Sequence, residues 1–144
     1  MYSTIRVDRR KSQRLQVSLS ALCRIAGPSR FLYLLGGKEF ESLVIDLSKN
    51  GAALLSSHSL PIDTKLFIKM FIVEVTYTGT SEFYEVLTLF ANVRYSTHQY
   101  EDRYRIGIEF TDIDQDRENK LENIINSSLR HNRIPSSIMP KIII

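Results

Sequence analysis

The chain has 144 residues and a mass of 16.6 kDa, which suits a single domain. Hydrophobic residues make up 43% and charged residues 24%, so a core can form without a metal or a disulfide. The net charge of +3 is small for a protein that binds long nucleic acid by neutralising phosphates. No apolar run approaches the ~20 residues of a membrane span, and the lone Cys23 is expected to be a buried thiol. We therefore expect a cytoplasmic protein.

Alternating apolar and polar residues predict β-strands through the first three-quarters of the chain. The predicted strands cover residues 15–25, 39–47, 52–56, 65–77, 87–95 and 104–110. An apolar run at 31–35 ends at Gly36-Gly37, which predicts a hairpin turn. The apolar phase switches at Ile72-Val73, which predicts a bulge. Turn residues or polar stretches at 27–29, 61–63, 79–82 and 96–102 separate the strands.

The last quarter of the chain changes to helical spacing. Its apolar stripe consists of Leu121, Ile124, Ile125 and Leu129. Acidic residues from Asp112 to Glu118 precede this stripe, as expected for the N-terminal end of a helix. The stripe either closes the mouth of a barrel, which is the default, or pairs with a second subunit. About seven short strands and one terminal helix favour a small antiparallel barrel.

A polar turn lies in the middle of the chain, where residues 44–55 read VIDLSKNGAALL. Strict alternation puts Leu43, Ile45 and Leu47 on one face of a strand, and Asp46 and Ser48 on the other. Lys49, Asn50 and Gly51 then supply a turn, in which Asn and Gly accept a positive φ. Such a hexapeptide alone also fits an ordinary Asx or Ser turn.

A second motif is basic and lies near the N-terminus, where residues 9–14 read RRKSQR. Arg10 and Arg14 are four residues apart, so their guanidiniums converge in a strand or in a helix. This pair is suited to anions or guanine edges. The basic charge and few apolar residues of the segment 1–13 indicate a solvated arm that becomes ordered when an anion binds.

The two motifs together resemble the signature of the PilZ domain family, RxxxR followed by [D/N]xSxxG. The matching residues are Arg10, Arg14, Asp46, Ser48 and Gly51. The resemblance continues through YRIGIEF at 104–110 and the helix after it. It implies a mainly β fold, a small antiparallel six-stranded PilZ-type β-barrel with a C-terminal α-helix. We expect a flexible arm at 1–8, the PilZ domain at 9–131 and a C-terminal tail at 132–144, whose Ile-rich end packs on the domain or on a partner.

The chemistry of these residues matches a guanine dinucleotide. Arginine donates to guanine O6 and N7 and pairs with phosphate, while a carboxylate accepts from guanine N1 and N2. The resemblance identifies the ligand as cyclic-di-GMP. It implies that Arg10 and Arg14 clamp bases and phosphates, that Asp46 and Ser48 hold a guanine edge, and that Gly51 shapes the turn. Arg9 occupies a position where the family often carries another arginine when two stacked ligand molecules bind.

Catalytic and metal sites have little support in the sequence. The histidines, His58, His98 and His131, lack the spacing of a zinc or hydrolytic site and are interpreted as surface residues. No Gly-rich phosphate loop is present. We expect no enzyme activity, no metal and no cofactor besides the ligand.

The sequence therefore predicts a bacterial cyclic-di-GMP receptor that changes shape on binding and regulates an unknown protein partner, as a monomer or a homodimer. The output would be of the motility, biofilm or exopolysaccharide type. One alternative is a PilZ-like adaptor for pilus or motility machinery that binds no nucleotide. Another is an oligonucleotide-binding barrel, which the modest net charge disfavours.

Overall fold

The computed structural model describes residues 5–6, 14–75, 81–131 and 141–143, with the side chains of 17–72 and 85–126. The strands in these ranges are β1 (Ile5–Arg6), β2 (Arg14–Gly27), β3 (Phe40–Leu47), β4 (Gly51–Ser56), β5 (Lys65–Val75), β6 (Ser81–Tyr100), β7 (Arg103–Thr111) and β8 (Lys141–Ile143). The helix α1 spans Gln115–His131.

The strands form one antiparallel sheet that closes on itself. Their order is β1-β2-β3-β4-β7-β6-β5-β8, and β2 also pairs with β5. The pairing of β2 with β5 closes the six strands from β2 to β7 into a barrel. The predicted six-stranded barrel with a C-terminal helix is therefore confirmed.

The barrel interior is built from alternate residues of each strand. On β2, Leu19, Ala21 and Cys23 are at most 2% exposed, as their alternation predicts. Burial raises the pKa of the Cys23 thiol to about 11, although its hydrogen bond with the Ser42 hydroxyl, 3.3 Å away, acts in the opposite direction. Cys23 is thus the buried thiol that the sequence predicts.

The connection between β2 and β3 differs from the prediction of a hairpin. Residues Ser29–Phe31 and Leu34–Gly37 form two short 3-10 turns, not a strand and a hairpin turn. Leu32 and Tyr33 have helical backbone angles, and Leu35, Gly36 and Gly37 have positive φ angles, so the apolar run is not extended and does not pair as a strand. The apolar residues are used for packing instead, since Phe31, Leu34 and Leu35 lie against the core.

The β6–β7 hairpin is longer than predicted. Residues 96–102 were expected to form a polar loop, yet β6 continues to Tyr100 and only Glu101 and Asp102 form the turn. His98 pairs with Tyr104, so backbone hydrogen bonds sustain the ladder here. Residues 97–103 are exposed, and a strand exposed to water on both faces shows no apolar alternation.

The long strand β5 keeps its predicted inward residues but not its predicted bulge. Leu66, Ile68, Met70 and Ile72 are all at most 2% exposed. The register with β6 shifts between Glu74 and Val75, not at Ile72-Val73. The predicted turn at 79–82 falls partly outside the described residues, and its last two residues belong to β6.

The helix α1 closes the barrel. Leu121, Ile124 and Ile125 are at most 8% exposed and belong to the core cluster, which confirms the default interpretation of the apolar stripe. Asp114 caps the helix, because its carboxylate accepts from the Arg117 backbone N–H at 2.9 Å. Beyond the helix, the backbone of β8 pairs with Val73–Val75 of β5, so this part of the Ile-rich tail lies on the domain.

Candidate functional site

A bulge in β3 determines where the Asp46 side chain points. Val44 pairs with Leu54 and Asp46 with Ala53, so Ile45 is an extra residue in the ladder. Val44 and Leu47 are both fully buried, which strict alternation does not allow for residues three apart. The prediction that Leu43, Ile45 and Leu47 share one face is therefore wrong. The bulge leaves Asp46 on the outer face of the barrel, next to the inward Leu47.

The Ser48 hydroxyl organises the turn after β3. Its oxygen accepts from the Asn50 backbone N–H and donates to the Gly51 carbonyl, both at 3.3 Å. The Ser48 backbone N–H donates to the same carbonyl at 2.9 Å. Ser48 is only 3% exposed. These contacts are those of a Ser turn, and they fix the strand end that carries Asp46.

Gly51 is required for close packing of two strands and not for a positive φ in the turn. The predicted turn forms, but neither Asn50 nor Gly51 has a positive φ. A Cβ at this position would overlap the Ile108 carbonyl oxygen and lie 3.3 Å from the carbonyl carbon. Gly51 is thus the residue that lets β4 approach β7 closely.

Two residues that the motif analysis did not select, Arg105 and Tyr95, lie near Asp46. The Arg105 guanidinium donates from Nη2 to Asp46 Oδ2 at 3.4 Å, and from Nε to the Tyr95 hydroxyl at 3.3 Å. The Asp46 side chain is 14% exposed and that of Arg105 is 35% exposed. Arg105 lies 59 residues after Asp46, so the contact depends on the pairing of β4 with β7. The alternation of polar and apolar residues along β7 predicts that Arg105 faces outward, but it does not predict the contact with Asp46.

Small residues separate Asp46 from Tyr95 across the sheet. Asp46 pairs with Ala53, Ala53 with Gly107, and Gly107 with Tyr95. A Cβ on Gly107 would overlap the Tyr95 ring. The ring therefore lies directly over the β7 backbone, where its hydroxyl reaches Arg105.

The basic motif is only partly described. The strand β2 begins at Arg14, and the pairs Leu15 with Leu47 and Gln16 with Asp46 bring its first residues beside the end of β3. The backbone of Arg6 pairs with that of Arg14. Arg9, Arg10 and the side chain of Arg14 lie outside the described residues. The fold thus brings the C-terminal end of one motif next to the other motif.

The histidines of the described ranges lie apart from Asp46 in the sequence and do not belong to a metal-binding group. His98 is exposed, whereas His58 is half-buried, with its ring centroid 5.7 Å from that of Phe40. No group of three or more His, Cys, Asp or Glu side chains among these residues is placed to hold a metal ion. In the same part of the chain, no helix is both long and apolar enough to cross a membrane.

The closed barrel and its terminal helix define a class of small antiparallel β-barrel domains, and the Asp46–Gly51 motif lies beside the start of β2. The sequence matches the PilZ domain family over residues 8–127, and the chain belongs to this family. A search of the curated proteins finds no significant match.

Solved structures share the fold at low sequence identity. The PilZ domain of YcgR from Escherichia coli with c-di-GMP has a TM-score of 0.62 and 16% identity, over 88% of this chain and 95% of that one. The Bacillus subtilis inhibitor of motility MotI/DgrA has a TM-score of 0.61 and 17% identity, over 87% of this chain and 54% of that one. The K. pneumonia MrkH–c-di-GMP complex has a TM-score of 0.59 and 18% identity, over 88% of this chain and 55% of that one. The chain spans about half the length of several of these proteins, including MotI/DgrA and MrkH.

Proposed function

We propose that this protein is a receptor for cyclic-di-GMP without catalytic activity, and that ligand binding changes the surface it offers to a protein partner. The observation that carries the proposal is the position of Asp46. Its carboxylate lies on the outer face at the end of β3, beside the start of the strand that carries the basic motif. Membership of the PilZ domain family supports the same function, as does the c-di-GMP bound by two proteins of similar fold.

In this proposal the carboxylate and the arginines have separate tasks. A carboxylate repels phosphate, so Asp46 is useful only on the donor edge of a base, where guanine offers N1–H and N2–H. Arg10 and Arg14 bind the phosphates and the other guanine edges. Ser48 lies beside Asp46 and fixes the strand end, while Arg9 extends the basic segment toward a second stacked ligand.

The ligand would connect the barrel, which carries Asp46, with the basic segment, which carries the arginines. Asp46 belongs to a closed barrel whose core is nearly inaccessible to water. The arginines belong to a segment of concentrated positive charge, whose repulsion two phosphates would relieve. The partner would then read the rearranged surface. MotI/DgrA is an inhibitor of motility, which makes motility a reasonable output to test first.

Calorimetric titration tests the proposal directly. The wild-type protein should bind cyclic-di-GMP and strongly prefer it to cyclic-di-AMP and to a short single-stranded DNA. Asp46→Ala should lose much of the preference for guanine, because adenine lacks the donors that the carboxylate accepts. Asp116→Ala is a matched control, since this exposed helix carboxylate pairs with Lys120 away from the strand end.

Three outcomes distinguish the alternatives. Equal binding of both cyclic dinucleotides by the wild-type protein would contradict the role of Asp46. Binding of the single strand alone would favour an oligonucleotide-binding barrel. No binding of any of the three would favour the adaptor that uses only its barrel surface.

A further inference from the structure

The ion pair between Asp46 and Arg105 places hydrogen-bond donors beside an acceptor, and neither sequence motif predicts this contact. We propose that Arg105 acts together with Asp46 to read the Watson–Crick edge of one guanine, and so determines base specificity. This inference rests on the proposed function, because it names how the receptor would recognise its ligand. It adds to the site a residue from β7, on the side of Asp46 away from β2.

The pattern of donors and acceptors is complementary to guanine. Asp46 Oδ1 is buried, so Oδ2 is the acceptor that the carboxylate offers, and the guanidinium that contacts Oδ2 supplies donors immediately beside it. Guanine presents N2–H, N1–H and O6 in this order, which is donor, donor, acceptor. Asp46 Oδ2 would accept from N1 while Arg105 donates to O6, without breaking the existing contact, since a carboxylate oxygen accepts more than one bond.

Adenine does not fit the same pair. It carries an acceptor at N1 and a donor at N6, so N1 would face the carboxylate and the amino group would face the guanidinium. The carboxylate would then face another acceptor, and the guanidinium would face another donor. Buried polar groups without suitable partners weaken binding. Arg105 would therefore disfavour adenine at the position where it favours guanine.

Arg105 is held in place before any ligand arrives. Its Nε donates to the Tyr95 hydroxyl at 3.3 Å, and its Nη2 donates to Asp46. The Tyr95 ring lies over Gly107, where any larger residue would displace it. A guanidinium held by two hydrogen bonds loses little conformational freedom when it binds, which increases its contribution to affinity.

A cavity lies close to Arg105, although neither Arg105 nor Asp46 lines it. Leu55, the residue paired with Arg105, lines a cavity of about 500 Å³. Other walls of this cavity are Leu43, Phe71, Tyr100 and Arg103. Its volume is within the usual range of small-molecule sites, about 300 to 1,000 Å³. The Arg105 side chain is 35% exposed, so a ligand can reach the guanidinium.

The test compares two ligands in matched variants. Arg105→Ala should weaken cyclic-di-GMP binding by about tenfold or more, because a good arginine contact to a base is worth about 1–3 kcal/mol. The same variant should bind cyclic-di-AMP no more weakly than the wild type does, because the unfavourable guanidinium is removed. Arg94→Ala is the control, since this exposed arginine of β6 bonds to Glu109, with Nε 3.0 Å from the carboxylate. It should match the wild type for both ligands.

Two further variants keep the test independent of folding. Arg105→Lys retains the charge and one donor direction, so it should recover part of the guanine preference lost in Arg105→Ala. Tyr95→Phe retains the ring over Gly107 but loses the hydroxyl acceptor, so it should show a smaller, guanine-selective loss. Melting curves of all variants should remain cooperative.

The outcomes separate this inference from the proposed function. A selective loss of cyclic-di-GMP affinity supports the role of Arg105. An equal loss for both ligands would show only general attraction to phosphate and would overturn it. Unchanged preference in Arg105→Ala, with a wild type that prefers guanine, would overturn this inference and leave the receptor assignment intact. A wild type that binds neither ligand overturns both.

Discussion

Replacing Gly51 by alanine tests whether the family glycine serves the packing of two strands. The added Cβ would overlap the Ile108 carbonyl oxygen and lie 3.4 Å from the Glu109 Cα. These are backbone atoms of β7, so a side-chain rotation cannot relieve the overlap and β4 has to move. Overpacking costs about 1–3 kcal/mol, and we expect the upper half of this range because backbone must shift.

The expected change in melting temperature follows from the size of the chain. For a domain near 144 residues, each kcal/mol lowers the midpoint by about 3 °C, so Gly51→Ala should lose about 6 to 9 °C. Gly27→Ala is the matched control, because a Cβ there meets nothing within 4 Å and its φ is not positive. It should melt within about 2 °C of the wild type. Equal melting of the Gly51→Ala variant and the wild type would refute the close approach of β4 to β7.

Three further predictions follow from the described residues. Native Cys23 should react slowly with a thiol reagent at neutral pH, and because its pKa is raised from 9.0 to about 11, stability should fall as pH rises between these values. Cys23→Ala should remove that fall in urea unfolding curves. The pKa of Asp114 is lowered, mainly by the Arg117 backbone N–H, so Asp114→Ala should reduce thermal stability at neutral pH and the difference should vanish in acid. Cyclic-di-GMP should slow amide exchange at residues 9–16 and 46–51; equal exchange with ligand bound would contradict ordering of the basic segment.

Much of the barrel could be predicted from local alternation. On β2 and β5 every second residue is apolar and buried, because one face of each strand meets the core. The helix was predictable for the same reason, since Leu121, Ile124 and Ile125 recur at helical spacing and pack on the barrel. Where one face of a strand or helix is buried, the spacing of its apolar residues makes the element predictable from the sequence.

Two of the errors occurred where regular alternation with one buried face breaks down. The end of β6 near His98 is exposed, so backbone pairing sustains it without any apolar pattern. The bulge at Ile45 inserts one residue into β3, and a single insertion reverses every later assignment to a face. Local sequence gives no sign of either feature, because both depend on which strand lies alongside.

The candidate site shows the same division. Asp46 and Ser48 were recognisable because they lie close together in the sequence with a glycine after them. Arg105 was not, because its contact with Asp46 requires β4 to lie between β3 and β7. Contacts that depend on long-range strand pairing are visible only in the folded chain.

The central claim is tested most directly by titrating cyclic-di-GMP into Arg10→Ala and Arg14→Ala, with Arg24→Ala as the control. Arg24 is an exposed arginine near the opposite end of β2, where it lies over the Phe67 ring. A charge-assisted contact is worth about 1.5–3 kcal/mol, so each motif variant should bind about 10- to 100-fold more weakly, with little change in melting temperature. The control should bind as the wild type does. Wild-type affinity in both motif variants would contradict the account.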